Sequence, residues 1–176
     1  QDLRVIHAGP ASRTAAALAQ VLWTLEFQRP LRVVPRSHRM TALTDDSVGA
    51  VVAGDSVVTD PPLGFDYHID LGAMWRRLTG LPFVFAVWAA TELADCDALN
   101  DLLTGARKLG QTRLKDISDR FAQAHGWPDD LASHELTEHL SYEMTVDHIE
   151  SMTEFAHLAA EIGAFTSVRD MDIVLP

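Results

Sequence analysis

An α/β fold is what this sequence predicts, and three observations predict it. Short apolar runs at Leu3–His7, Leu31–Val34 and Val48–Ala53 are separated by stretches with helical periodicity. Strand, helix, strand, helix, strand is the order of a parallel sheet with crossover helices. Residues that stop regular structure stand between them: Gly9-Pro10, Pro30, Pro35 and the surface loop Asp60–Gly64 with its two prolines.

Leu3–His7 alternates weakly and predicts a first strand. Ser12 or Thr14 can cap the helix that follows, which runs to about Phe27. Ala17, Leu18, Val21, Leu22 and Leu25 fall on one face of it. Leu31–Val34 predicts a second strand, and Val48–Ala53 is apolar enough to be a central parallel one.

From Asp70 to Ala90 the physics is sharper. Leu71, Met74, Trp75 and Leu78 recur at three- and four-residue steps, so they make the apolar face of a short helix. Gly80 can take the left-handed conformation that ends it, and Pro82 cannot continue it. Phe83–Ala90 carries no charge and predicts a strand covered on both faces, with Phe83, Phe85 and Trp88 as core. The composition changes near Leu81, where a lobe boundary is expected.

The remainder reads as mostly helical. Ala98–His125 is long and charged, with Gly105 and Gly110 as expected breaks. Leu131–Leu140 is a short helix. A final helix behind Thr145 carries the core stripe Ile149, Met152, Phe155, Ala156, Ala159 and Ile162, and Asp172–Leu175 predicts a closing strand.

The chain has 176 residues, 47% of them hydrophobic, which suits one ordinary domain or two small lobes. No apolar run is long enough to span a membrane. The formal net charge of −11 argues against nucleic acid, whose backbone calls for a basic face. Cys96 is the single cysteine, which excludes an internal disulfide and fits a reducing compartment. Flanked by Asp95 and Asp97, it is a poor nucleophile.

Four places hold candidate chemistry. Ser12-Arg13-Thr14 offers hydroxyls, a guanidinium and helix-terminal N–H groups, all suited to a carboxylate; the plain alternative is an N-cap with a solvent-facing Arg13. Gly54-Asp55 follows the third strand, where α/β sheets hold ligands; Asp55 serves equally well as a helix cap. Pro82 and Phe83 could form an apolar wall or simply core. His134 and His139 lie five residues apart, which on an α-helix places them about 140° apart round the cylinder. That spacing predicts a solvated charged face, with His134 and Glu138 free to pair, rather than a metal site. Phosphate loops, nucleophile elbows and dinucleotide fingerprints are absent from the sequence.

Three blocks carry a resemblance to a known family. They are Asp70-Leu71-Gly72 through Trp75 to Thr79-Gly80-Leu81-Pro82-Phe83-Val84-Phe85; Leu140-Ser141-Tyr142-Glu143-Met144-Thr145 with the helix His148–Gly163; and, less specifically, Leu3–His7 with Ser12-Arg13-Thr14. The chain resembles the chorismate dehydratase of the futalosine route to menaquinone. The resemblance implies a two-lobe, periplasmic-binding-protein-like (type II) α/β fold. Residues 1–81 would form the central lobe, and 82–176 a hinge strand and the mainly helical C-terminal part of the other lobe. Beside the family the first portion is missing, and the chain opens on Gln1, so it reads as the C-terminal two-thirds or so of a longer protein. On that reading the isolated 176 residues are expected to be inactive.

The implied reaction is loss of water from chorismate, giving 3-[(1-carboxyvinyl)oxy]benzoate, in the cytoplasm, with neither cofactor nor metal and with this small dianion as the partner. By resemblance Ser12 and Thr14 line the cleft, Arg13 stands where relatives carry a small residue, and Gly54, Asp55, Pro82 and Phe83 complete the substrate-binding set. No motif assigns the proton acceptor or an oligomeric state. Two other readings remain open: the sister enzyme that makes 1,4-dihydroxy-6-naphthoate, and a solute-binding module without chemistry.

Overall fold

A computed structural model describes residues 3–9, 12–35, 48–61, 64–91, 95–168 and 173 of the chain. The chain forms two compact units. Gln1–Val84 and Val146–Asp170 make one, Phe85–Thr145 and Met171–Pro176 the other. The chain thus returns to the first unit at its last helix, whereas the sequence reading runs one boundary near Leu81.

The first unit is α/β, as expected. Strands β1 (Val5–Ala8), β2 (Arg32–Pro35) and β3 (Val48–Val51) form a parallel sheet in the order β2-β1-β3. Register is level throughout: Val5 pairs with Arg32 and Val48, Ala8 with Pro35 and Val51. Between β1 and β2 runs helix α1 (Arg13–Phe27). Its predicted face is largely there, since Ala17, Leu18, Val21 and Leu22 are buried, but Leu25 is 41% exposed. A second buried face, Ala16, Ala19 and Trp23, packs on Ile6, Ala8, Leu31 and Val51 of the sheet layer. A helix wedged between a sheet and other helices is apolar on two sides, so one stripe understates its core.

Two helices cover the far side of α1. They are α3 (Leu71–Thr79) and α7 (Val146–Glu161), which bring Trp75, Phe155 and Ala159 against Ala17, Leu18, Val21 and Leu22. Local chemistry sets the ends of α3. Asp70 Oδ1 accepts the Ala73 N–H at 2.8 Å, an N-cap. At the other end Gly80 sits at φ +79 and its N–H donates to the Arg76 carbonyl at 2.9 Å. A Cβ on Gly80 would meet nothing within 4 Å, so an alanine there bears only the left-handed backbone. Gly80→Ala is therefore expected to lower stability by about 1–2 kcal/mol, measured by denaturant titration; an unchanged midpoint would contradict it.

Trp75 is fully buried, and its Nε1–H donates to Ser151 Oγ on α7 at 3.0 Å. Around it Phe83, Phe155 and Phe165 meet edge to face, with centroids 5.2–6.0 Å apart. On α7 the predicted stripe is buried at Phe155 and Ala159 and half-buried at Ile149, Met152, Ala156 and Ile162.

Phe83–Ala90 departs from the expectation. The segment takes no place in the sheet, and beyond Val84 it is exposed: Phe85 64%, Val87 54%, Trp88 83%. An uncharged run can fill a sheet, but a strand also needs a neighbour for its backbone groups. Among the described residues the sheet ends at its three strands. Trp88 is a surface residue, not core.

The second unit is helical. It comprises α4 (Cys96–Gln111), α5 (Leu114–His125) and α6 (Asp129–His134), the last continuing as a π turn at Glu135–His139. α4 runs straight through Gly105 and Gly110, and the break comes at Thr112-Arg113. Strong helix formers around the glycines outweigh their cost of about 1 kcal/mol each. Small residues, Ser118, Ala122 and Ala132, let α5 and α6 approach closely.

The π turn corrects the sequence reading of the histidines. Leu140 N–H bonds to the Glu135 carbonyl at 3.1 Å, five residues back. That wider turn brings residues five apart nearly into line. His134 and His139 stand in ring contact, centroids 4.3 Å apart. The expected His134–Glu138 pair forms at 3.1 Å, and His139 pairs with Glu135 at the same distance.

Beyond the turn, the Leu140–Thr145 block is tied down twice. Tyr142 Oη donates to the Leu136 carbonyl at 3.0 Å, and the Arg107 guanidinium meets Glu143 at 2.7 Å. Burial, then the charge of Glu135, raises the Tyr142 pKa above its usual value. The phenol stays protonated and remains a donor. Asp172–Leu175, the predicted closing strand, lies outside the described residues apart from exposed Ile173. Among the described residues no helix is long and apolar enough to cross a membrane.

Candidate functional site

Strand order singles out one sheet edge as the candidate. From β1 the chain moves through α1 to β2 on one side, and β3 pairs with β1 on the other. The direction of connection reverses between β1 and β3. Ligands of open α/β sheets bind beyond the carboxyl ends of the strands at such a reversal. Since Ala8 and Val51 are in register, the loops that leave them share one edge.

The loop after β1 delivers Ser12, Arg13 and Thr14. Ser12 N–H bonds to the Gly9 carbonyl at 3.0 Å, and the Ser12 carbonyl accepts from Ala16 at 2.9 Å, which starts α1. Among the described residues the Ser12 hydroxyl makes no capping bond to the helix. Arg13 and Thr14 are exposed. The first turn of α1 contains no acid, and it carries Arg13 instead. A cation at the positive end of a helix is unfavourable by itself, and an anion in front of it removes the conflict. Helix dipole, terminal N–H groups, hydroxyls and guanidinium all favour negative charge at this edge.

The loop after β3 delivers Gly54 and Asp55. Gly54 turns the chain with φ +75, where an L side chain is strained. Asp55 occupies the N-cap position of α2 (Ser56–Thr59), a single turn. Its side chain does not cap the helix; its carbonyl accepts from Val58 and Thr59 N–H and from Thr59 Oγ1, at 2.9–3.0 Å. The structure therefore brings Ser12, Arg13, Thr14, Gly54 and Asp55 to one sheet edge.

Pro82 and Phe83 stand at the α3 junction, with the Phe83 ring directed into the aromatic cluster around Trp75. Leu81 beside them borders a cavity of about 290 Å³, lined also by Leu25, Leu78, Leu158, Thr79, Glu150 and Glu154. Leu25 is eleven residues along α1 from Thr14, roughly 16 Å at 1.5 Å per residue. That cavity is thus remote from the start of α1, and its two carboxylates repel a dianion. Ser151 was missed as a partner of Trp75, although its spacing to Phe155 and Ala159 places it on the buried face.

Comparison with known proteins decides the family. The family model described as menaquinone biosynthesis matches residues 2–161. The chain belongs to the menaquinone biosynthesis family. Within 68 residues it is 40% identical to a protein of Thermus thermophilus named chorismate dehydratase. The alignment takes in 38% of this chain and 25% of that relative, so the chain spans about a quarter of the relative's length in the match. The matched span of the menaquinone biosynthesis family includes both loops of the sheet edge and all of α3 and α7.

Proposed function

We propose that this chain serves the dehydration of chorismate on the futalosine route to menaquinone. The observation that carries the reading is the 40% identity to a chorismate dehydratase inside a match to the menaquinone biosynthesis family. The sheet edge supports it, because a substrate with two carboxylates needs local donors in a protein of net charge −11. Ser12, Thr14 and the N–H groups of α1 hold one carboxylate, with Arg13 adding charge to the same edge. Asp55 accepts from a substrate hydroxyl, and Gly54 gives the loop its turn. The Phe83 ring packs on Trp75 and Phe155 and so serves the core of the unit rather than this edge.

In the reaction a ring C–H proton is removed and the allylic C–O bond breaks, releasing water. Aromatisation of the ring supplies the driving force, so catalysis is mainly positioning of the ring and its leaving group. The proposal includes the two-lobe, periplasmic-binding-protein-like (type II) architecture, with residues 1–81 in the central lobe, and a cytoplasmic setting that suits the exposed thiol of Cys96.

The test is incubation of the natural gene product that contains these residues with chorismate. Appearance of 3-[(1-carboxyvinyl)oxy]benzoate with release of water is expected. Binding without turnover overturns the enzyme reading in favour of a solute-binding module. Turnover of cyclic de-hypoxanthine futalosine in its place assigns the chain to the sister enzyme.

A further inference from the structure

We propose that His134 and His139 form a binding site for an imidazole-preferring divalent cation, of which Zn²⁺ and Ni²⁺ are representative. The π turn is the reason the two rings meet at all, with centroids 4.3 Å apart and planes inclined at 66°. Each Nδ1 faces a carboxylate at 3.1 Å, His134 on Glu138 and His139 on Glu135. A carboxylate accepting from Nδ1 keeps the proton on that nitrogen and leaves the lone pair on Nε2. Carboxylate, imidazole and metal in that order is the usual way proteins orient a metal-binding histidine. Here the arrangement occurs twice on neighbouring rings.

Distances permit a shared ion. With metal–nitrogen bonds of about 2.0–2.1 Å, two imidazoles at a tetrahedral angle have centroids roughly 5 Å apart. At 4.3 Å the rings stand closer than this, so a shared ion requires them to part, and the side chains are 48% and 59% exposed. Charge favours the same ligand class. Glu135 and Glu138 flank the rings, and Asp129 and Asp130 open α6 in a chain of net charge −11, which concentrates cations at the surface. Among the described residues no three of His, Cys, Asp and Glu converge into a cage. The protein thus supplies two nitrogens and water the remaining ligands, which makes the ion weakly held and exchangeable. Imidazole ligands select zinc, nickel and copper over magnesium or calcium. A bound ion would staple residues 134 and 139 and hold the π turn closed. None of this depends on the chorismate reading.

Isothermal titration of the full chain, free of any affinity tag, with ZnCl₂ and then NiCl₂ tests the site. One saturable binding event in the micromolar range is expected, and no comparable event with MgCl₂. His134→Asn and His139→Asn are each expected to weaken it at least tenfold, Glu138→Gln several-fold, and His157→Asn not at all. Circular dichroism establishes that each variant is folded. Should an Asn variant not fold, the imidazole NMR signals of the unmodified chain serve instead, with His134 and His139 shifting together as zinc is added. Absence of saturable binding, wild-type affinity in either Asn variant, or shifts spread over the other histidines overturns the proposal.

Discussion

Trp75→Ala is expected to lower the stability of the first unit by about 3–5 kcal/mol, the range for a fully buried tryptophan. The indole lies at 0% exposure beneath α1, touches Phe83 and Phe155 edge to face, and ties α3 to α7 through Ser151. Its removal opens a cavity where three helices meet. Ser151→Ala separates packing from hydrogen bonding, since it leaves the indole N–H buried and unsatisfied at about 1–3 kcal/mol. In a Trp75→Phe background the same change is expected to be nearly silent, because the donor has gone. Urea denaturation of the four proteins gives the coupling directly. A Trp75→Ala midpoint close to the wild type would contradict the placement of this side chain.

Ser12→Ala with Thr14→Ala is expected to weaken chorismate binding by about 1–3 kcal/mol, the value for bonds lost to a charged group. That is roughly 5- to 150-fold in the dissociation constant. Thr14 is exposed on the first turn of α1, and half-buried Ser12 makes no side-chain cap bond, so the fold is expected to be unaffected. Calorimetric titration on the natural gene product, with thermal denaturation as control, checks the effect. Unchanged affinity would remove this edge from the site.

The parts legible in the sequence are those that repeat locally. Leu71, Met74, Trp75 and Leu78 announce α3, and Asp70 and Gly80 mark its ends, because capping and periodicity act over a few residues. The strand-ending loops at Ser12 and Gly54 were legible for the same reason: apolar runs end where polar and turn residues begin. What escaped depends on distant partners. Phe83–Ala90 has the composition of a buried strand, yet composition does not provide a neighbour. The second buried face of α1 exists only because a sheet and two helices enclose it. The π turn was hidden because residues spaced for opposite sides of an α-helix become neighbours when one turn widens, and no residue type announces that widening.

The return of α7 to the first unit has a consequence for how the protein is made. Trp75 meets Ser151 across 76 residues of chain. At synthesis rates of about 5–20 residues per second, some 4–15 seconds pass after Trp75 is polymerised before Ser151 exists. During that interval α1 and α3 present Leu18, Val21, Leu22 and Trp75 to whatever surrounds the nascent chain. The helices of residues 96–134, whose contacts are local, can form meanwhile, as low-contact-order segments do. The first unit therefore stays open until most of the second has been made, and its exposed apolar faces are what chaperones would meet in that interval.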